Sequence, residues 1–267
     1  MSGNSVAEIK WAGAMETLID QPTVKFSGPV VLGIYGGNSS TGAHKNEDGA
    51  LIWSDTDADW EFAVILDGHN TSESVQLVLN HFALCKSDIM EILNSATPDV
   101  FQHLHEYIRE SLCTLDTSSV QGECSCLTFA RRGGYLWWLN VGDCALYLLN
   151  EDYARLGQYA VNQRSFFEWV GQVNTFNQPI PCYSAGVKSL RQGRNIILAL
   201  TDGVLEFKDS PFASPKHVYD MMFSSEDIGI QVRELLDVIH TSQGRDSATV
   251  IAWNRRCNDV GQVPSDV

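Results

Sequence analysis

The stretch GALIWSDTDADWEFAVILDGHN, residues 49–70, decides how this chain is read. Two apolar runs, 49–53 and 60–66, are rich in β-branched and aromatic residues, and the segment SDTDAD between them has the composition of a turn. The expected product is an antiparallel hairpin, which sets the start of one strand beside the end of the other. Glu47 and Asp48, just before the first strand, then sit next to Asp67, just after the second.

A second pairing of the same kind lies later in the chain. The run NIILAL (195–200) leads into Thr201-Asp202-Gly203, and GRDSATVIAW (244–253) begins a strand just after Asp246. As antiparallel neighbours, these strands place Asp202 and Asp246 on one rim of a sheet. Gathering four or five carboxylates is unfavourable, because each opposes ionisation of the others. A divalent cation removes that cost. Hard ions such as Mg2+ and Mn2+ prefer oxygen ligands and keep waters, so carboxylates on scattered strand ends suit them better than zinc. Gly68 lets a backbone carbonyl turn toward an ion, and Gly203 permits a sharp exit beside Asp202. Taken alone, each Asp-Gly is usually a turn, and Glu47-Asp48 alone would cap a hairpin. Their joint appearance at strand ends changes the reading.

The rest of the chain is consistent with one globular domain over residues 1–267. At 44% hydrophobic and 19% charged it buries a sizeable core, and it contains no repeat, low-complexity tract or linker. Further strands are expected at 30–35, 125–131, 135–141, 145–149, 195–200 and 248–254. Helices are expected at 72–85, 100–112, 215–223 and 226–240. Strands, helices, strands, helices and a last strand argue for α+β layers rather than regular βαβ alternation. A formal net charge of -15 argues against nucleic acid and anionic membranes as partners. The first ten residues lack a basic segment followed by an apolar run, and no apolar run reaches the roughly 18 residues of a membrane span, so a cytoplasmic protein is expected. Seven cysteines without metal-ligand spacing read as reduced thiols. Cys124 and Cys126 alternate along a strand, but no second pair completes a zinc site.

Five motifs in order, NEDGALIW (46–53), VILDGHN (64–70), LNVGDCALYLL (139–149), LALTDGVLEF (198–207) and GRDSATVIAW, resemble those of the metal-dependent protein phosphatase 2C family. The resemblance covers about residues 33–254. It implies a four-layer α-β-β-α sandwich, two central antiparallel sheets flanked by helices, with two Mg2+ or Mn2+ ions at one end. It further implies hydrolysis of phosphoserine and phosphothreonine on proteins by water activated between those ions. Asp67 would bridge the ions, Asp202 and Asp246 would complete one site, and Glu47 with the Gly68 carbonyl would serve the other. Asp48 matches the motif's second acid and would hold metal-bound water, Asp143 would support a third, weaker ion, and His69 would protonate the departing oxygen or else orient a ligand or water.

Three positions depart from the family pattern. Ala43 stands where the family places a phosphate-binding arginine, leaving His44 or Lys45 to replace it. Asn70-Thr71 replaces small residues, and GECSC (122–126) replaces the usual start of a strand. The segment 164–187, with Phe166, Phe167, Trp169 and Phe176, is expected to cover the site as a flap or to pack its aromatics into the core. Two further readings stand beside the protein phosphatase: a non-catalytic phosphatase-like module that binds a phosphoprotein, and a small-molecule phosphomonoesterase.

Overall fold

The computed structural model describes residues 6–258; residues 1–5, part of the segment read for a leader, and residues 259–267 lie outside the described residues. Strands β1 (Ala7–Ala12), β2 (Thr23–Ser27) and β3 (Val30–Tyr35) lead into the hairpin of β4 (Gly49–Asp55) and β5 (Trp60–His69). Helices α1 (Glu73–Leu84), α2 (Lys86–Asn94) and α3 (Val100–Cys113) follow. Then come β6 (Glu123–Arg132), β7 (Tyr135–Val141), β8 (Ala145–Leu149), the short α4 (Glu151–Arg155), β9 (Val170–Gly171), β10 (Ser184–Ser189) and β11 (Gly193–Leu200). The chain continues through α5 (Asp202–Leu205), α6 (Pro215–Met222), α7 (Ile228–Thr241) and β12 (Ala248–Cys257).

All pairings are antiparallel. One sheet runs β1-β4-β5-β6-β7-β10, with β9 added to β6, and the other runs β2-β3-β12-β11-β8. Period-two alternation along β5 divides its side chains between two cores. Phe62, Val64 and Leu66 pack toward α1, α2 and α3, whereas Ala63 and Ile65 join the layer between the sheets. A third core lies where α6 and α7 cover the second sheet. The helices supply matching stripes: Val100, Leu104, Ile108 and Leu112 are buried one turn apart on α3, and Val232, Leu235, Leu236 and Ile239 on α7. Asp227 caps α7 by accepting hydrogen bonds from the amides of Gly229 (2.9 Å) and Ile230 (3.3 Å). The result is the four-layer α-β-β-α sandwich with two central antiparallel sheets.

The structure departs from the sequence expectation at three sheet edges and at the end of β5. The unanticipated strands β1, β2 and β10 are sheet edges, and their burial alternates or stays partial, so they lack a long apolar run. Strand β5 also does not stop at Leu66. It pairs with β6 through Asp67, opposite Ser125, to His69, opposite Glu123. Asp67 is thus a strand residue on the inter-sheet face rather than a strand terminus. Cys124 and Cys126 both point into the helical-side core, with the Cys124 thiol donating to the Val170 carbonyl at 3.4 Å.

Candidate functional site

Register brings the acids together. Gly49 lies opposite Leu66, which sets Asp48 beside Asp67, and Leu200 lies opposite Val250, which sets the turn into α5 beside the start of β12. Both rims close the same end of the inter-sheet layer. Asp48 is completely buried, and three hydroxyls from the second sheet reach it: Thr249 Oγ1 at 2.6 Å, Ser247 Oγ at 2.8 Å and Thr201 Oγ1 at 3.2 Å. These bonds tie β4 of one sheet to β11 and β12 of the other. Their donors were not singled out in the sequence. The signal was there, since each sits within three residues of a motif acid, in TDG and in DSAT.

Gly68 and Gly203 are required for a reason other than turning. A Cβ on Gly68 would lie 2.5 Å from the Glu47 carbonyl oxygen, and one on Gly203 would lie 1.9 Å from that of Ser247. Both glycines let backbones carrying acids close in on one another. Asp143 follows Gly142, whose φ is +92°, and is locked by Ser125: the Ser125 hydroxyl donates to the Asp143 carboxylate and accepts from its amide at 2.9 Å. Ser125 comes from the divergent GECSC stretch, so that departure supplies a partner for Asp143.

Electrostatics mark this rim as unfinished. Burial, with the nearby Asp246 and Asp202 carboxylates, pushes Asp48 up to about 7 despite its hydroxyl partners. Burial, Asp48 and Asp202 hold Asp67 well above the carboxylate range. Burial pushes Asp202 up to about 6, with Asp246 and Asp143 adding to it and a bond to Asp67 opposing it. Asp67 Oδ2 is buried and without a hydrogen-bond partner. Among the described residues, no three His, Cys, Asp or Glu side chains already close around a point where one ion would sit. An open rim of oxygens is what a hard, water-retaining ion requires, because such ions bind through few carboxylates and complete their shells with water. Buried carboxylates, an orphaned carboxylate oxygen and an all-oxygen donor set therefore fit Mg2+ or Mn2+.

A cleft of about 660 Å3 opens over the rim and is lined in part by Ala43, Lys45, Glu47, Gly68, Asp202 and Asp246. Lys45 Nζ lies 2.5 Å from Glu47 and 3.3 Å from the Asn70 carbonyl, and His44 Nδ1 lies 3.1 Å from the Gly42 carbonyl. His69 shares the Asp67 face of β5, with its ring 4.6 Å from that of Trp169 and its buried Nδ1 unpartnered. The 164–187 segment divides. Phe176 joins the helical-side core and Trp169 covers His69, whereas Phe166 and Phe167 are exposed. Arg164 pins the segment's start, donating to the Asp143 carbonyl at 2.5 Å and pairing with Glu206 at 2.6 Å.

No protein-family model and no curated protein matches this sequence. Solved structures do match. A bacterial serine phosphatase superposes with a TM-score of 0.61 at 13% identity, over 88% of this chain and 99% of its own. RsbX, solved in complex with magnesium, gives 0.55 at 13% identity over 88% of this chain and 100% of its own. The catalytic domain of the serine threonine protein phosphatase PstP, solved with two manganese ions, gives 0.53 at 14% identity over 94% and 97%. The two sandwiched sheets, their flanking helices and these superpositions together establish that the chain has the fold of the 2C-type serine/threonine phosphatases.

Proposed function

We propose that this protein is a cytoplasmic, Mg2+- or Mn2+-dependent hydrolase of phosphoserine and phosphothreonine on proteins. The observation that carries the proposal is the convergence at one end of the sandwich of buried Asp48 and Asp67 with half-buried Asp202, all elevated in pKa and, among the described residues, with no ion-pair partner to neutralise them. Buried acids are retained at such a cost where a ligand satisfies them. Asp67, Asp202, Asp246, Glu47 and the Gly68 carbonyl would hold two ions, with Asp48 orienting bound water and Asp143 serving a third, weaker position. When bound, such ions neutralise phosphoryl charge and lower the pKa of water.

The chain's own residues do the rest. The three hydroxyls on Asp48 fix that carboxylate between the sheets. Trp169 walls off His69, whose unpartnered Nδ1 leaves the imidazole able to deliver a proton to a departing serine or threonine oxygen. Loss of positive charge at Ala43 and the engagement of Lys45 by Glu47 favour the second reading, a phosphoprotein-binding module without turnover.

One assay separates the two. Chelator-stripped protein is given a phosphothreonine peptide with and without Mn2+, and release of phosphate only with Mn2+ is expected. Manganese binding without turnover of either the peptide or nitrophenyl phosphate anywhere from about pH 6 to 9, the working range of a histidine acid, leaves the binding module as the better account.

A further inference from the structure

We infer that Arg245 binds the substrate's phosphoryl group in this protein, taking the part that Ala43 cannot play; the inference rests on the reading of the cleft as a phosphoprotein site. The cleft lining sets four acids, Glu47, Asp202, Glu206 and Asp246, against three permanent cations, Lys45, Lys208 and Arg245. A chain of net charge -15 repels an anionic peptide at long range, so local cations must offset that field.

The three cations are not equivalent. Lys45 is held by Glu47 and by the Asn70 carbonyl. Arg245 has no hydrogen-bond or ion-pair partner among the described residues, and its side chain is exposed to the cleft. Its backbone, in contrast, is firmly placed. The Asn38 amide donates to the Gly244 carbonyl at 2.8 Å, Thr41 Oγ1 donates to the Gln243 carbonyl at 3.3 Å, and a Cβ on Gly37 would lie 2.1 Å from the Arg245 carbonyl oxygen. This fixes the 243–245 turn against the loop that carries Ala43. The Arg245 Nε atom lies 3.9 Å from where a Gly42 Cβ would stand, so the guanidinium lies along that loop, next in sequence to Asp246. A fixed base and an unpaired planar fork are what bidentate capture of a phosphoryl group needs, and adjacency to Asp246 sets that fork beside the rim. Lys208 is also unpaired among the described residues, but it is a point charge on a flexible stem, in the segment after α5.

The test compares Arg245→Ala, Arg245→Lys, Lys45→Ala and Lys208→Ala in the presence of Mn2+. Arg245→Ala is expected to raise KM about 10- to 100-fold, the usual worth of charge-assisted hydrogen bonds, while Mn2+ affinity and the thermal melt stay as in the parent. The same rise is expected for the phosphothreonine peptide and for nitrophenyl phosphate, since they share only the phosphoryl group. Arg245→Lys is expected to recover part of the loss. An unchanged KM in Arg245→Ala, with a rise in Lys45→Ala or Lys208→Ala, overturns the inference. So does a rise confined to the peptide, which assigns Arg245 to peptide contacts. Should the parent hydrolyse neither substrate, equilibrium binding of the phosphopeptide against its unphosphorylated form decides. Weaker binding of the phosphorylated form in Arg245→Ala then upholds Arg245 while the hydrolase reading falls, and equal binding by parent and variant overturns Arg245.

Discussion

The two ends of β5 handle a buried acid in opposite ways. Glu61 and Asp67 lie on the same face of one strand, six residues and about 20 Å apart. Glu61 stands opposite Arg131 in register, and the two form a bidentate pair at 2.6 and 2.7 Å with Arg131 completely buried. Asp59 adds a contact to Arg131 at 2.7 Å and reaches Arg255 at 2.9 Å. Burial works against the Arg131 charge, yet the Glu61 and Asp59 carboxylates hold it above its ordinary value. Asp67 stands opposite Ser125, has Asp48 and Asp202 as its charged neighbours, and leaves one oxygen without a partner. One end is electrostatically complete within the protein. The other leaves a carboxylate oxygen without a partner among like charges, and that asymmetry is what the proposed metal site rests on.

The largest expected effects come from neutralising the acid at each end in turn. Glu61→Gln leaves a buried guanidinium short of its main partner and is expected to cost about 3 kcal/mol of stability. Asp67→Asn removes a like-charge burden, so the metal-free protein is expected to gain about 1 kcal/mol while hydrolysis is lost, the usual trade at functional sites. Urea melts of chelated protein read both. Equal destabilisation by the two substitutions would erase the distinction between the ends.

His69 belongs to the open end and should show its signature. His69→Gln is expected to slow turnover of the phosphothreonine peptide by roughly 10²- to 10⁴-fold and of nitrophenyl phosphate much less, because a nitrophenolate leaves without a proton. Melting should hardly change, since Nδ1 has no partner to lose. Equal losses on both substrates would assign His69 to orientation instead.

Smaller and opposite in sign to ordinary acid unfolding is the pH response of the chelated protein. Raised carboxylate pKa values mean that the folded state binds protons more tightly than the unfolded chain, so stability is full below the ordinary carboxylate range and falls as pH rises through the folded values. Asp48 at about 7 and Asp202 at about 6 place that loss between the usual carboxylate range and about 7. Between about pH 5 and 7.5 the melting temperature of chelated protein is expected to drop by about 2–6 °C, and Mn2+ to recover most at the higher pH. A melt that rises with pH without metal would show that the rim is already neutralised.

The smallest effect concerns Ala43. Ala43→Arg is expected to lower KM for the phosphopeptide by roughly threefold with kcat unchanged, because a contact made equally to ground and transition states gives uniform binding.

Sequence pattern alone determined the hairpin at 49–70, the pairing of β11 with β12 and the set of acids their ends bring together. Strand pattern and turn composition are local properties, and antiparallel pairing converts them directly into neighbours. Buried helices such as α3 and α7 were legible for the same reason, through their one-per-turn apolar stripes. The edge strands β1, β2 and β10 were not, because a half-exposed strand needs a neighbour's free hydrogen bonds more than an apolar run. Tertiary structure alone decided which cations are available. Lys45 and Arg245 look equally free in sequence, but Glu47 takes the first, and the anchoring of residues 243–245 to the Ala43 loop leaves the second beside the acids. It also decided that Glu61 is neutralised and Asp67 is not, since charge pairing depends on which side chains face each other across β5 and β6, and that register is a property of the packed sheet.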